Sequence, residues 1–447
     1  MPNKVTFNTE FPTITESDKL YERATGLIPA YTQTLAKGPG QYTKGVSPKY
    51  LKKGKGSHVW DVDGNEFIDY QMAIGPLSLG YCYEKVDTAI KEQLSDGITF
   101  SMMHPLEVEV AELVRSVVPN VESVRYSKTG CDVTTAAVRL ARAFTGREKV
   151  LCCGYHGWHD WYIAVTDRNK GIPKATQDLS FTISYNDIQS VIDSIDHDTA
   201  CVILEPMVFE FPKDDFLQKL RKVCDEYGIL LIFDEMWSGF RFALGGAQEL
   251  FNVRADLMCF SKAVANGMPI GILCGRADVM SLCDKDIFFF TTFGGEALSL
   301  AACKATITEL RDKNVPAALA QKGKQLREGY NAIAKELGMD YTLCAGHDAR
   351  TIMTFNASAG NPLEMKSLVQ QELFKRGILW GGFHNISFSH TDEDIAYTLS
   401  AYHEVLPILK KAVDEKNVKG YLKGQVVDAV FRKTTNFNMK PKQPAKA

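Results

Sequence analysis

Short apolar runs and amphipathic stretches alternate through the central part of the chain. Between about residues 105 and 280, the runs KVLCCG, ACVILEP and GILLIFDE are separated by stretches with helical spacing, among them DVTTAAVRLARAF and DDFLQKLRKVCDEYG. Apolar runs of this kind predict strands that are buried on both faces. Their alternation with helices predicts a large α/β domain built on a parallel or mixed sheet.

The flanking regions have a different pattern. HVWDVDGNEFIDY alternates apolar and polar residues around an Asp-Gly turn at 63–64 and predicts a β-hairpin. After about residue 340, TIMTFNAS and GILWGGFHNISFS favour strands, and Thr391 with Asp394 has the spacing of a helix-opening capping box. These regions predict a smaller α+β domain.

The length of 447 residues exceeds the roughly 100–200 residues of one ordinary domain, so we expect two. The tail, with NMKPKQPAKA at its end, is expected to be disordered. The predicted boundaries are 1–70 for an N-terminal segment of the small domain, 71–335 for the large domain, 336–425 for the rest of the small domain and 426–447 for the tail.

Composition narrows the classes of function. The net charge of −3 gives no electrostatic reason to bind nucleic acid or an anionic membrane, and no apolar run is long enough to span a bilayer. Eleven cysteines without a signal-peptide pattern favour reduced thiols in the cytoplasm. The adjacent Cys152 and Cys153 fit packing or a redox pair, and HGWH without further metal-ligand motifs predicts no metal site.

Three predicted strands end in polar residues, which matters because ligands of α/β sheets bind at the carboxyl ends of strands. ACVILEP ends in Glu205, GILLIFDE ends in Asp234, and VRYSKTG ends at Thr129 and Gly130 before a helix. Free N–H groups at that helix start fit a phosphate, although an ordinary N-cap has the same sequence pattern.

Lys262 lies among small and apolar residues in CFSKAVANGMPIG. Such a setting favours the neutral amine, which attacks aldehydes. Asp234 fits either a structural ion pair or a contact with a cationic ring nitrogen, worth about 4 kcal/mol at about 4 Å and an effective dielectric of about 20. A phosphate site, a strand-end carboxylate and this lysine together predict pyridoxal 5'-phosphate as a cofactor.

The run IFDEMWSGFRFALGGAQELFNVRADLMCFSKAVANGMPIG resembles the class III, fold-type I pyridoxal-phosphate aminotransferases, and within them the glutamate-1-semialdehyde aminomutase branch. By motif position, the resemblance implies that Lys262 condenses with the cofactor and moves the substrate proton. It implies that Asp234 pairs with the pyridinium nitrogen and that Tyr155 stacks on the ring. The other implied cofactor contacts are Thr129, Gly130, Cys131, His156, Glu205, Met236 and Thr292.

The resemblance also implies a homodimer in which Thr292 reaches the phosphate of the neighbouring subunit. Several features depart from the family pattern, and two of them bear on the site. Cys131 replaces a threonine and removes one hydroxyl from the phosphate site. The segment after GYHG is shorter than the gating loop of the mutases, which favours a transaminase, because a transaminase must release a keto acid and admit a second substrate.

The resemblance implies glutamate as the amino donor and a carbonyl compound as the acceptor. The polar segment Thr32–Thr34 and the aromatic run WHDWY favour a hydroxylated or bulky acceptor. GYHGWHDW and FSHTDEDI are similar to bacterial enzymes that make 8-amino-3,8-dideoxy-octulosonate, a lipopolysaccharide precursor, from an eight-carbon sugar acid. A glutamate-1-semialdehyde-type aminomutase and a non-catalytic binding protein with this fold are the alternatives.

Overall fold

The computed structural model describes residues 10–429 and consists of two compact units. Unit 2 spans Glu84–Pro316, and unit 1 contains the described residues on either side of it. The domain boundaries expected from the sequence, after residues 70 and 335, do not coincide with the ends of unit 2. They stay a prediction. From residue 430 onward, the expected tail lies outside the described residues.

The strands and helices carry the following labels in chain order. The strands are β1 (Leu51–Lys55), β2 (His58–Asp61), β3 (Glu66–Asp69), β4 (Ser123–Ser127), β5 (Lys149–Cys153), β6 (Ser180–Thr182), β7 (Thr199–Leu204), β8 (Leu230–Asp234), β9 (Leu257–Phe260), β10 (Gly271–Gly275), β11 (Thr342–His347), β12 (Arg350–Phe355), β13 (Ile378–Leu379) and β14 (Phe383–Asn385). The helices are α1 (Thr15–Ala24), α2 (Glu84–Asp96), α3 (Pro105–Val117), α4 (Gly130–Thr145), α5 (Asp160–Ile163), α6 (Lys174–Gln177), α7 (Ile188–Ile192), α8 (Phe216–Tyr227), α9 (Ala247–Leu250), α10 (Ala277–Met280), α11 (Ala297–Asp312), α12 (Val315–Glu336), α13 (Pro362–Lys375) and α14 (Asp392–Asp414).

Unit 2 is built on a seven-stranded sheet in the order β4-β10-β9-β8-β7-β5-β6. Strand β10 is antiparallel to both of its neighbours, and the other neighbouring pairs are parallel. Every residue of β7 and β8 is buried, which is why both appear in the sequence as unbroken apolar runs. The predicted α/β fold is confirmed, and the sheet is mixed because one strand is reversed.

Helix α4 shows how the sequence builds this layer. Thr129 caps its start together with Asp132, and Gly146 ends it with a φ of +68°. The apolar residues between these ends recur at helical spacing, so Val133, Ala137 and their neighbours form one buried stripe. That stripe packs in the same core cluster as residues of β5, β7, β8 and β9.

Unit 1 contains two small sheets, β1-β2-β3-β13 and β11-β12-β14. The hairpin predicted around the Asp-Gly turn is formed by β2 and β3, which pair antiparallel. The predicted capping box is also present, because Thr391 and Asp394 cap the start of α14. GILWGGFHNISFS forms two short strands rather than one, and Gly382, with a φ of +113°, lies in the break between them.

All eleven cysteines are free thiols, and Cys152 and Cys153 are both buried in β5. Cys152 belongs to the core cluster of unit 2, which is the packing role considered for this pair. Within residues 10–429 there is no helix with the length and apolar character needed to cross a bilayer. The same residues contain no group of three or more His, Cys, Asp or Glu side chains arranged to hold a metal ion.

Candidate active site

Six strands of the unit 2 sheet run in the same direction, and five of them, β4, β5, β7, β8 and β9, lead into candidate residues at the same edge. Because β10 is antiparallel to both β4 and β9, β4 shares the direction of the parallel block β9-β8-β7-β5. A candidate residue predicted from the sequence follows or ends each of these five strands. The residues are Thr129 after β4, Tyr155 after β5, Glu205 after β7, Asp234 at the end of β8 and Lys262 after β9.

The start of α4 forms a capping box. The Thr129 hydroxyl accepts a hydrogen bond from the Asp132 N–H at 3.2 Å, and Asp132 Oδ2 accepts from the Thr129 N–H at 2.8 Å. The N-cap interpretation is therefore correct, and it leaves the first helical N–H groups, of Gly130 and Cys131, without intrahelical partners. Burial raises the pKa of the Cys131 thiol, so this half-buried group stays uncharged beside the helix start.

Asp234 is almost completely buried and has a definite partner. Its Oδ2 lies 2.8 Å from His156 Nδ1, and its Oδ1 accepts a hydrogen bond from the Met236 N–H at 3.1 Å. A carboxylate can only accept, so Nδ1 of His156 carries the proton of this bond. Nε2 of His156 is buried and has no hydrogen-bond partner among residues 10–429.

Two glycines bring the helix start and the Asp234 region into contact. A Cβ added at Gly130 would lie 2.9 Å from the Met236 sulfur, and one added at Gly157 would lie 2.5 Å from the Cys131 sulfur. Gly157 also has a φ of +109°, which side-chain-bearing residues rarely adopt. The phosphate-type site and the buried carboxylate are therefore parts of one constellation.

Lys262 is half-buried and lies beside an aromatic ring. Its Nζ is 3.6 Å from the centroid of Trp237, which follows Asp234 by three residues. Strand pairing explains this contact, because Asp234 in β8 is the register partner of Cys259 in β9. Both β8 and β9 therefore end close to this lysine.

Glu205 and Tyr155 are joined through the main chain. The buried Glu205 accepts a hydrogen bond at its Oε2 from the Tyr155 N–H at 2.8 Å. The Tyr155 ring is 40% exposed and lies edge-on to Tyr162 at 5.6 Å. Glu205 thus holds the turn that carries Tyr155 and His156, while a cofactor contact of its own stays a prediction.

Thr292 lies in an exposed, aromatic segment of unit 2. Phe288 and Phe290 in this segment are 75% and 57% exposed, and their rings lie 5.2 Å apart. Two arginines fix its main chain, because Arg125 donates to the Phe289 carbonyl at 2.6 Å and Arg139 donates to the Phe288 carbonyl at 2.8 Å. The exposed position of Thr292 is compatible with a contact outside its own site.

Sequence analysis did not identify two neighbours of Asp234 as part of the site. Trp237 contacts Lys262. The sequence feature that could have identified it is an aromatic residue three positions after the strand-end acid Asp234. Glu235 is buried and accepts hydrogen bonds from Ser238 and from the Ala247 and Gln248 N–H groups. Burial raises the pKa of Glu235 to about 7, but the side chain points at a helix start, so its role is structural.

The chain is similar to known aminotransferases and aminomutases. A family model described as aminotransferase class-III matches residues 42–341. The chain belongs to the class III aminotransferase family. The 3-aminobutyryl-CoA aminotransferase of Cloacimonas acidaminovorans is 33% identical over 89% of this class III chain and 98% of its own length. The glutamate-1-semialdehyde 2,1-aminomutase of Persephonella marina is 32% identical over 80% of this chain and 90% of its own length.

Solved structures show the same fold. The FumI protein of Sphingopyxis sp. MTA144, determined in its PLP internal aldimine form, superposes with a TM-score of 0.84 and 27% identity, covering 92% of this chain and 99% of its own. This class III aminotransferase therefore has the fold-type I architecture predicted from the sequence, and its cofactor is pyridoxal phosphate.

The residues present fit that cofactor. The N–H groups at the start of α4 suit a phosphate, the buried Asp234 suits a cationic nitrogen, and the Lys262 amine suits an aldehyde. The orphaned Nε2 of His156 is a further polar atom at this edge of the sheet. Within residues 10–429, the hydrogen-bond partners of the Asp234 carboxylate are the His156 ring and the Met236 N–H.

Proposed function

We propose that this class III aminotransferase moves an amino group from an amino donor to a carbonyl acceptor and that Lys262 and Asp234 are its principal catalytic residues. The observation that supports this most directly is that the acid ends β8, the lysine follows β9, and the two strands are paired in register. When bound, pyridoxal phosphate supplies an electron sink for charge that develops on the substrate carbon.

Each residue of the site has a separate task in this proposal. The Lys262 Nζ binds the cofactor aldehyde and moves the proton at the substrate carbon. Asp234 keeps a proton on the ring nitrogen, and the His156 N–H orients its carboxylate. Tyr155 and Met236 cover the faces of the ring. Thr129, Gly130 and Cys131 bind the phosphate.

Spectroscopy of Lys262→Ala tests this assignment. The purified wild-type protein with added cofactor should show an absorbance band near the visible edge, and borohydride should attach the cofactor to Lys262. The variant should lose both properties and at least about 10³-fold in activity, whereas the exposed Lys285→Ala should keep them. A wild-type protein that binds no cofactor would instead support the non-catalytic alternative.

We propose glutamate as the donor and a keto or aldehyde sugar acid as the acceptor, such as an 8-oxo octulosonate that leads to a lipopolysaccharide precursor. The GYHGWHDW and FSHTDEDI runs and the polar segment Thr32–Thr34 support this choice. The relative named 3-aminobutyryl-CoA aminotransferase makes a 3-oxoacyl thioester the rival acceptor. A panel of donors against both acceptors, with amine transfer measured by mass spectrometry, separates them.

A 2,1-aminomutase is the second candidate, because relatives with that name match most of the chain. A mutase completes turnover on one aminated substrate, whereas a transaminase stops after half a cycle until an acceptor arrives. We therefore expect glutamate-1-semialdehyde alone to give no catalytic turnover. Sustained formation of 5-aminolevulinate without an acceptor would identify a mutase.

We further propose a homodimer in which Thr292 reaches the phosphate of the neighbouring subunit. The exposed rings of Phe288 and Phe290 support an interface here, because solvent-exposed aromatic clusters are typical of association sites. Phe288→Asp should shift the protein to monomer in sedimentation experiments, and Thr292→Ala should weaken cofactor binding without doing so. Eleven free thiols support a reducing compartment such as the cytoplasm.

A further inference from the structure

The amine of Lys262 rests on the face of an indole ring. Its Nζ lies 3.6 Å from the centroid of Trp237, well within the roughly 6 Å over which an ammonium is attracted to an aromatic face. Trp237 is itself buried, which limits competition from water. Tryptophan gives the strongest attraction of this kind among the aromatic side chains.

The turn from Lys262 to Ala265 carries one long side chain, that of the lysine. Lys262 has a φ of +47°, in the left-handed region that side-chain-bearing residues avoid. The next three residues, Ala263 to Ala265, are buried and hold the turn in this conformation. The four-carbon stem of lysine, in contrast, is freely rotatable until its end is held.

We propose that Trp237 is a positioning residue for Lys262, whose ring holds the amine whenever the amine is not joined to the cofactor. This inference rests on the proposed function, in which the Lys262 amine is not bonded to the cofactor before the cofactor binds and again after a substrate amine has replaced it. The contact favours the ammonium form. The ammonium must lose one proton before its nitrogen bonds to the aldehyde carbon, and that condensation releases one water.

Acylation of the cofactor-free full-length protein tests the contact without any catalytic readout. An N-hydroxysuccinimide acetate reagent modifies only the neutral amine, and the extent at Lys262 is measured by mass spectrometry at pH 8, with the exposed Lys285 as the internal reference. Trp237→Leu, which removes the ring, should speed modification of Lys262 about fivefold. Trp237→Phe, which keeps an aromatic face, should lie between wild type and the leucine variant.

A matched control is Trp158→Leu, because Trp158 is 69% exposed and lies in the neighbouring GYHGWHD turn; it should not change the rate at Lys262. In the holoenzyme, Trp237→Leu should lower kcat about fivefold and change KM less than about twofold, because the substrate still binds. If the leucine variant does not fold, the acylation rates of Lys262 in wild type, Trp237→Tyr and Trp237→Phe provide the same comparison.

Equal modification rates in wild type, Trp237→Phe and Trp237→Leu would overturn the proposal. If the leucine variant does not fold, equal rates of Lys262 modification in wild type, Trp237→Tyr and Trp237→Phe would also overturn it. Failure of the proposed function gives a different result, since borohydride would then not attach the cofactor to Lys262 in the wild-type protein, whatever the acylation rates are.

Discussion

The buried pair of His156 and Asp234 makes a quantitative prediction for a double-mutant cycle. The two side chains are almost completely buried and lie 2.8 Å apart. His156→Leu removes the only side-chain partner of Asp234 in the described part of the chain and leaves a buried carboxylate with one N–H donor. Leaving a buried carboxylate without this hydrogen-bond donor costs about 3 kcal/mol.

The same substitution should cost much less when position 234 is already neutral. In the Asp234→Asn background no buried charge is left behind, so we expect a coupling free energy of at least about 1.5 kcal/mol between the two sites. For a unit of this size, 3 kcal/mol corresponds to a decrease in Tm of about 6–12 °C. Calorimetry of the four cofactor-free proteins measures these differences.

A nearby histidine hydrogen bond that involves no carboxylate provides the control. His159 Nδ1 lies 2.7 Å from the Thr135 hydroxyl, and neither group is a carboxylate. His159→Leu should cost about 1 kcal/mol, the value of an ordinary net hydrogen bond. If His156→Leu costs no more than this control, or if the two substitutions of the cycle add within about 0.5 kcal/mol, the pair does not stabilise a buried charge.

Three further predictions concern other groups. Cys131→Thr restores a hydroxyl donor at the phosphate site and should lower the Kd of the cofactor about tenfold by spectroscopic titration; an unchanged Kd would contradict this contact. Burial lowers the pKa of Lys366 from its ordinary value of 10.5 to about 8. The buried charge therefore destabilises the folded state by its full amount below pH 8, and this destabilisation disappears above pH 10.5. Lys366→Met should therefore raise the unfolding free energy by about 3 kcal/mol at pH 7, with a gain that shrinks between pH 8 and 10.5 in calorimetric scans; a gain independent of pH would exclude this cause. Burial lowers the pKa of His58, but the carboxylates of Asp394 and Glu66 raise it by more, so the net pKa lies above 6.5. The stability that these ion pairs contribute to the folded protein is therefore complete below pH 6.5 and is lost as the pH rises through the raised pKa. His58→Gln should therefore cost about 1 kcal/mol at pH 6 and little at pH 9, and an equal cost at both would refute the ion pair.

Much of the fold could be predicted because burial on two faces leaves a clear pattern in the sequence. β7 and β8 are apolar throughout, and α4 carries both its cap and its buried stripe within its own sequence. The direction of β10 could not be predicted in this way. An apolar run such as GILCG specifies burial but not orientation, which here follows from the short connection between β9 and β10.

The site was predictable to the extent that strand ends and motifs identify it. Asp234 and Lys262 were named from the sequence, and the structure places Asp234 at the end of β8 and Lys262 just after its paired strand β9. The contact of Lys262 with Trp237 depends on the register of that pairing, which no local pattern encodes. The bond between His156 and Asp234 joins positions far apart in the chain and likewise required the folded structure.

The reversed strand has a consequence for how the enzyme can move. Since β9 and β10 form a hairpin, the loop that carries Lys262 leaves and re-enters the sheet at one edge, and Ser261 Oγ donates a hydrogen bond across its base to the Ile270 carbonyl at 2.6 Å. Both ends of the loop are thus fixed by the paired strands β9 and β10 and by this hydrogen bond. During a catalytic cycle the travel of the amine must come from rotation within the lysine stem, while the backbone beneath it stays still.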